Sequence, residues 1–265
     1  MKERITTAAI LGIGAVIILL LSGVPLVMGL VTAALAVMGA FELLRTAGAK
    51  VSRVGVYISL GAAALIPLIP MGHYSEIMVF LFPAALALFF GLMAAFLRGR
   101  ELPAVLVTVI GVVIAFFARG AVELRSVGLR YLIAALAVCV LTDCAAFFVG
   151  SSLGRHKLAS RISPHKTVEG AAGGLVCAVG LVTLGGWIFC RDSVDYSQLL
   201  VWALTASVIA QFGDLSLSTV KRMAGVKDFG TLLPGHGGIL DRFDSCLFVL
   251  PYTLLFVCLW GRFLG

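Results

Sequence analysis

From about residue 5 onward the chain is a succession of long apolar runs, and this constrains the fold more than any other feature. A helix that crosses a bilayer needs roughly 20 mostly apolar residues. Nine runs meet or approach that length, at about 5–22, 24–44, 54–70, 77–97, 103–118, 129–149, 171–189, 198–217 and 246–261. The fifth and ninth are short, and the first two are joined only by Ser22-Gly23-Val24-Pro25. None alternates apolar with polar residues, so membrane strands are not expected. The pattern predicts an all-α polytopic transmembrane bundle of about nine spans. Composition agrees. The 265 residues are 61% apolar and 12% charged, whereas a soluble domain carries about a quarter charged residues. A conventional soluble enzyme, a disordered chain and a disulfide scaffold are excluded. The six cysteines are scattered, with no CxxC pair, and read as membrane-packing residues. The first apolar run, lacking a small-residue cleavage site, reads as a retained span.

Nine spans place alternate loops on opposite sides. One side receives Lys2, Arg4, Arg45, Lys50, Arg53, Arg98, Arg100, Arg155, Lys157, Arg161, Lys166, Lys221, Arg222, Lys227 and Arg242, fifteen of the 20 basic residues. The other receives Arg119, Arg125, Arg130, Arg191 and Arg262. This asymmetry predicts a cytoplasmic N-terminus and an external C-terminus. It also accounts for the net charge of +7, so no nucleic-acid partner is expected. The whole chain, 1–265, reads as one integral membrane domain: spans one to five over 1–128, then spans six to nine over 129–265 with cytoplasmic loops 150–170 and 218–245.

Polar residues gather at that cytoplasmic face. In the eighth span Ser207, Gln211, Asp214, Ser218, Lys221 and Arg222 fall within an arc of about 100° at helical spacing. An acid inside a span marks a site unless shown otherwise. Asp143 lies near the cytoplasmic end of the sixth span. Glu42 ends the second span, but Arg45 stands three residues on, so a local ion pair is expected there. Before the ninth span comes Pro234-Gly235-His236-Gly237-Gly238-Ile239-Leu240-Asp241-Arg242-Phe243-Asp244. Its glycines let backbone N–H groups approach an anion, and Asp241 and Asp244 share a helix face. Simple capping by these acids is the plainer alternative.

Asp143, Asp214, Asp241 and Asp244 can thus converge, with Lys166, Lys221, Arg222, Lys227 and Arg242 around them. Carboxylates alone repel one another. Mg²⁺ removes that repulsion, and it is typically held by one or two carboxylates plus substrate phosphates. The added Lys and Arg imply a substrate with its own negative charge. This is the inventory of phosphoryl or nucleotidyl transfer. A Ser-His-Asp hydrolase is the weaker reading, and no Walker A sequence is present.

Here the residues resemble a known family. Ser218-Thr219-Val220-Lys221-Arg222, Lys227-Asp228-Phe229-Gly230 and Leu233 through Asp244 together resemble the signature of phosphatidate cytidylyltransferases, also called CDP-diacylglycerol synthases. Upstream, Asp143, Ala146-Phe147-Phe148, Gly150, Gly154 and Lys157-Leu158 resemble the segment after the family's sixth span, and Ile162 through Gly170 resembles its Ser-Pro-x-Lys-Thr-x-Glu-Gly loop. The chain departs from the pattern at Val168, where bacterial members usually have Trp. It departs also at Cys144-Ala145 and Phe147, in place of Thr-Gly and Tyr.

The resemblance implies that CTP and phosphatidic acid give CDP-diacylglycerol and pyrophosphate. It implies Asp214 and Asp241 as principal metal ligands, with Asp143 and Asp244 as lesser ones, and Mg²⁺ as cofactor with the number of ions open. Catalytic roles fall to Asp214, Asp241, Lys221 and Arg222. Substrate contacts fall to Lys166, Ser218, Lys227, His236, Gly237, Gly238 and Arg242, with His236 a binding residue rather than a base. A homodimer in the bacterial inner membrane, its site facing the cytoplasm, is also implied. Alternatives are a CTP-dependent enzyme acting on another lipid, a transporter, which would carry mid-membrane acids and repeated halves, and a CDP-alcohol phosphotransferase, whose DGxxAR motif is missing.

Overall fold

The computed structural model describes residue 14 and residues 16–48, 51–190, 193–232 and 237–264. Eight helices are bounded there. They are α1 (Pro25–Ala47), α2 (Arg53–Leu65), α3 (Tyr74–Leu97), α4 (Ala104–Val127), α5 (Leu129–Leu153), α6 (Val168–Cys190), α7 (Tyr196–Met223) and α8 (Leu240–Trp260). Two short strands, β1 (Lys157–Ala159) and β2 (Ser163–Thr167), form an antiparallel hairpin. All the helices but α2 are long and apolar enough to cross a membrane, seven among the described residues. The first predicted span lies mostly outside them.

Local sequence explains several of the boundaries. Pro25 opens α1, where a missing N–H costs nothing. Ser52 caps α2 by accepting from Gly55 N at 3.1 Å. Asp195 caps α7 by accepting from Ser197 N and Gln198 N.

Three expectations need correction. The third predicted span is a helix of 13 residues. At about 1.5 Å per residue it reaches only about 20 Å, short of a hydrocarbon core of ~30 Å. The fifth and ninth spans are not short: α4 has 24 residues and α8 has 21. Arg119 and Arg125 therefore belong to a helix, not to an external loop. Arg119 is buried because it pairs with Glu123 one turn on and donates to Pro67 O at 2.7 Å. Finally, loop 150–170 contains the hairpin. Glu169 folds back on it by accepting from Arg155 N and His156 N.

Hydrogen bonds tie the loops together in two sets. Arg161 Nη1 reaches Leu97 O at 2.7 Å, Arg222 Nε reaches Ile162 O at 3.0 Å, and Leu240 N reaches Glu42 at 2.9 Å. Arg125 Nε reaches Ser22 Oγ at 2.8 Å, and Tyr131 Oη reaches Leu264 O at 2.7 Å. The first set belongs to the loops that carry most of the basic residues. The ends of α1, α3, α5 and α7 and the start of α8 thus share one end of the bundle, called the site end below.

The core lies between α3, α4, α7 and α8, where the rings of Phe82, Phe89, Phe117, Phe212 and Phe248 interlock. Gly213 lets α7 lie directly against α8: a Cβ there would come within 2.9 Å of Asp244 O. By contrast α6 leaves Val176, Leu181, Leu184, Trp187, Ile188 and Phe189 exposed. A cavity of roughly 150 Å³ lies between α1, α4, α5 and α8. Its lining is apolar save for Thr32, whose hydroxyl is spent on Met28 O at 2.7 Å. It runs from Ile18 and Met28 to Ile239, Leu240 and Phe243 at the site end.

Candidate active site

The polar stripe of α7 divides by depth. Its deeper members serve helix packing: Ser207 accepts from Thr142 Oγ1 at 2.9 Å, and Gln211 Nε2 donates to Ala171 O at 3.2 Å. The members nearer the site end face charge. Asp214 Oδ2 pairs with Lys166 Nζ from β2. Ser218, one turn on, donates to Asp214 Oδ1 at 3.3 Å. Lys166 and Asp214 keep 29% and 20% of their side-chain exposure, so this pair is open to a ligand.

A second pair lies deeper. Lys221 Nζ donates to Asp241 Oδ1 at 2.7 Å, with side-chain exposures of 10% and 4%. The other oxygen of Asp241 accepts from Phe229 N at 2.9 Å and Gly238 N at 3.0 Å. Three donors therefore fix this carboxylate, and they tie Lys221, Phe229 and Gly238 to the first turn of α8. The ring of Phe229 lies 5.5 Å from the Lys221 ammonium, a cation–π contact beneath the pair.

Asp143 and Asp244 join the two pairs. Asp143, exposed on α5, accepts from Ser245 Oγ at 3.3 Å. Asp214, Lys166 and Arg242 are its electrostatic neighbours. Asp244 is buried and feels Asp214, Lys221 and Asp143. Asp143, Asp214 and Asp244 are thus electrostatic neighbours, and Asp241 joins them only through Lys221. Among the described residues, however, no three His, Cys, Asp or Glu side chains are arranged to hold a metal ion by themselves. An ion bound here would complete its coordination with water or substrate oxygens, as Mg²⁺ does with one or two carboxylates and phosphates. Asp214 fits such an ion, because one of its oxygens meets only the Ser218 hydroxyl. Asp241 would serve only after giving up Lys221.

Other expected site residues are placed differently. Arg222 spends its guanidinium on Ile162 O and Val226 O, so it fastens the hairpin turn to the loop after α7. Lys227 is exposed on that loop. Gly237 has φ +86°, the left-handed region that favours glycine. His236 lies outside the described residues. Gly150-Ser151-Ser152-Leu153-Gly154 has the spacing of a hydrolase nucleophile elbow, but it runs through the end of helix α5 rather than a strand-to-helix turn. Phe147 and Val168, where the chain departs from the family pattern, are both exposed and lie outside the packed core.

Glu42, for which a local ion pair with Arg45 is expected from the sequence, has a different role in the structure. Arg45 is exposed and Glu42 is buried at 4% exposure. Its carboxylate accepts from Ile239 N and Leu240 N, both at 2.9 Å. The available signal was an acid inside an apolar run; the local basic neighbour masked it.

Comparison with known proteins shows the family. The model of the cytidylyltransferase family matches residues 2–260. The phosphatidate cytidylyltransferase of Bacillus subtilis (strain 168) is 48% identical over 143 residues, 53% of each chain. That of Staphylococcus saprophyticus is 50% identical over 129 residues, and that of Staphylococcus epidermidis 49% over 129, in each case 49% of both chains. The chain spans about half the length of the curated relatives it matches.

Proposed function

The chain belongs to the cytidylyltransferase family, and on that premise we propose that it transfers the cytidylyl group of CTP to phosphatidic acid. The products are CDP-diacylglycerol and pyrophosphate, in phospholipid biosynthesis. The observation that carries this reading is the accessible Lys166–Asp214 pair and the buried Lys221–Asp241 pair, linked through Asp244, which is an electrostatic neighbour of both Asp214 and Lys221. Each lysine is a cation able to bind phosphate, already held at the site by an acid.

A phosphate oxygen of the lipid attacks the α-phosphorus of CTP. The new P–O bond forms as the bond to the β-phosphate breaks, and pyrophosphate carries the electron pair away. The attacking oxygen is already ionised, so no general base is needed. Catalysis then rests on positioning and charge neutralisation. Lys166 and Arg242 face the open side and would hold phosphates of CTP or lipid. Ser218 orients Asp214, and Arg222 holds the hairpin against the loop. The Gly237-Gly238 turn lets a phosphate approach the backbone closely, and Asp241, by accepting from Gly238 N, fixes that turn. Asp214, with substrate oxygens, would hold Mg²⁺, which when bound neutralises triphosphate charge.

The lipid enters from the bilayer side. Ile239, Leu240 and Phe243 alternate with Asp241, Arg242 and Asp244, so the apolar cavity adjoins the charged cluster. It would take an acyl chain while the headgroup stays among the charges. The site end carries most of the basic residues and would face the cytoplasm of a bacterial inner membrane, where CTP is found. The exposed apolar face of α6 would meet lipid or a second copy in a homodimer.

The test is an assay with labelled CTP and phosphatidic acid in mixed micelles. Label at the α-phosphate should enter the lipid and label at the γ-phosphate should leave as pyrophosphate. Transfer of the γ-label to lipid would replace this reading with that of a kinase.

A further inference from the structure

We propose that Glu42 is a positioning residue for the active site, acting from the N-terminal half of the chain. The start of α8 has an unmet need. The first turn of a helix leaves backbone N–H groups without partners. Helix α8 has no capping side chain of its own, because its N-cap position is Ile239. Yet this is the turn that must hold Asp241 against Lys221. The missing acceptor arrives from α1, almost 200 residues earlier in the chain: the two oxygens of Glu42 take Ile239 N and Leu240 N, one each.

The surroundings are shaped to admit it. A Cβ at Gly230 would lie 2.6 Å from Glu42 Oε1, and a Cβ at Gly238 would collide with Oε2. Two glycines of the loop thus make room for one carboxylate. Gly238 N in turn donates to Asp241. Glu42, Gly238, Asp241 and Lys221 therefore form a continuous chain of contacts from α1 through the loop to α7. An acid at a helix N-terminus also meets the positive end of the helix dipole. Glu42 touches none of the atoms proposed to react; it sets where Asp241 and the glycine turn stand.

The inference rests on the cytidylyl-transfer reading, but only for its kinetic arm. Glu42→Gln keeps the shape and brings an amide NH₂ against one of the two N–H donors. In detergent-solubilised full-length protein, peptides covering 224–241 should exchange backbone hydrogen at least tenfold faster than in the wild type. Peptides of α4 should not change. In the same preparation kcat should fall at least tenfold, with KM for phosphatidic acid within twofold. Gly238→Ala, which pushes the carboxylate away, should reproduce the exchange pattern. A kcat within twofold of wild type overturns the proposal. So does a fall in kcat with exchange of 224–241 unchanged. Should Glu42→Gln not fold, Glu42→Asp, too short to serve both amides, is read by the same two measurements. A wild-type protein that makes no CDP-lipid defeats the reaction proposed above, whereas the exchange result still decides whether Glu42 holds the loop.

Discussion

Lys221 and Asp241 form a 2.7 Å ion pair that is almost sealed from solvent, whereas Lys166 and Asp214 form one that stays partly open. The two pairs have the same chemistry and different burial, so they should respond differently to the same substitutions.

Removing one partner of the sealed pair strands a buried charge, which typically costs about 3–5 kcal/mol. Lys221→Met should therefore lower the thermal midpoint of the detergent-solubilised protein sharply. The double variant Lys221→Met/Asp241→Asn should regain much of that loss while remaining inactive. A double variant no more stable than the single one would show that the pair is not coupled.

At the open pair the expected order is reversed. Partly exposed ion pairs contribute only about 0–1 kcal/mol. Asp214→Asn should leave the thermal midpoint nearly unchanged, yet reduce cytidylyl transfer by about a thousandfold, as expected when an electrostatic group acting on the transition state is removed. Unfolding and activity measured on one preparation separate the two effects.

Arg222 bridges Ile162 O and Val226 O, and only a guanidinium spans both. Arg222→Lys keeps the charge but should behave much like Arg222→Ala. Both should raise KM for CTP by about tenfold and speed proteolysis at the 159–163 turn, because Lys offers a point charge rather than a fork. A fully active Lys variant would instead assign Arg222 to plain charge–phosphate attraction.

Ala118 lines the apolar cavity. Ala118→Phe should fill part of it. The expected result is at least a tenfold fall in kcat/KM for long-chain phosphatidic acid, with a short-chain substrate changed less than twofold. Equal losses on both substrates would remove the acyl chain from this cavity.

The helices were legible because each apolar run outlasts the noise of local composition. Other features depend on partners that a linear reading cannot see. Helix α4 continues past its charges because Arg119 and Glu123 neutralise each other across one turn and Pro67 accepts the remaining donor. The hairpin is held by Glu169, from the helix that follows it, more than by any β-propensity in its 3- and 5-residue strands. At the site the aspartates were visible as acids misplaced in apolar sequence. Their division into an open and a sealed pair was not, since burial is a property of packing. Arg222 and Lys166 look alike as basic residues near a motif, and only geometry separates a loop fastener from a candidate phosphate ligand. Glu42 was hidden by Arg45, which has the right spacing but is exposed, whereas Glu42 is buried against the start of α8.

The link between α1 and the start of α8 also bears on how such chains can be recombined. A chimera that joins the first four helices of one relative to the last four of another cuts no helix and leaves every motif intact. It still takes the acid from one parent and the two glycines that make space for it from the other. Where the two parents differ at positions 42, 230 or 238, a crossover that looks neutral by motif would therefore fail, and the exchangeable unit is then larger than the segment that carries the signature.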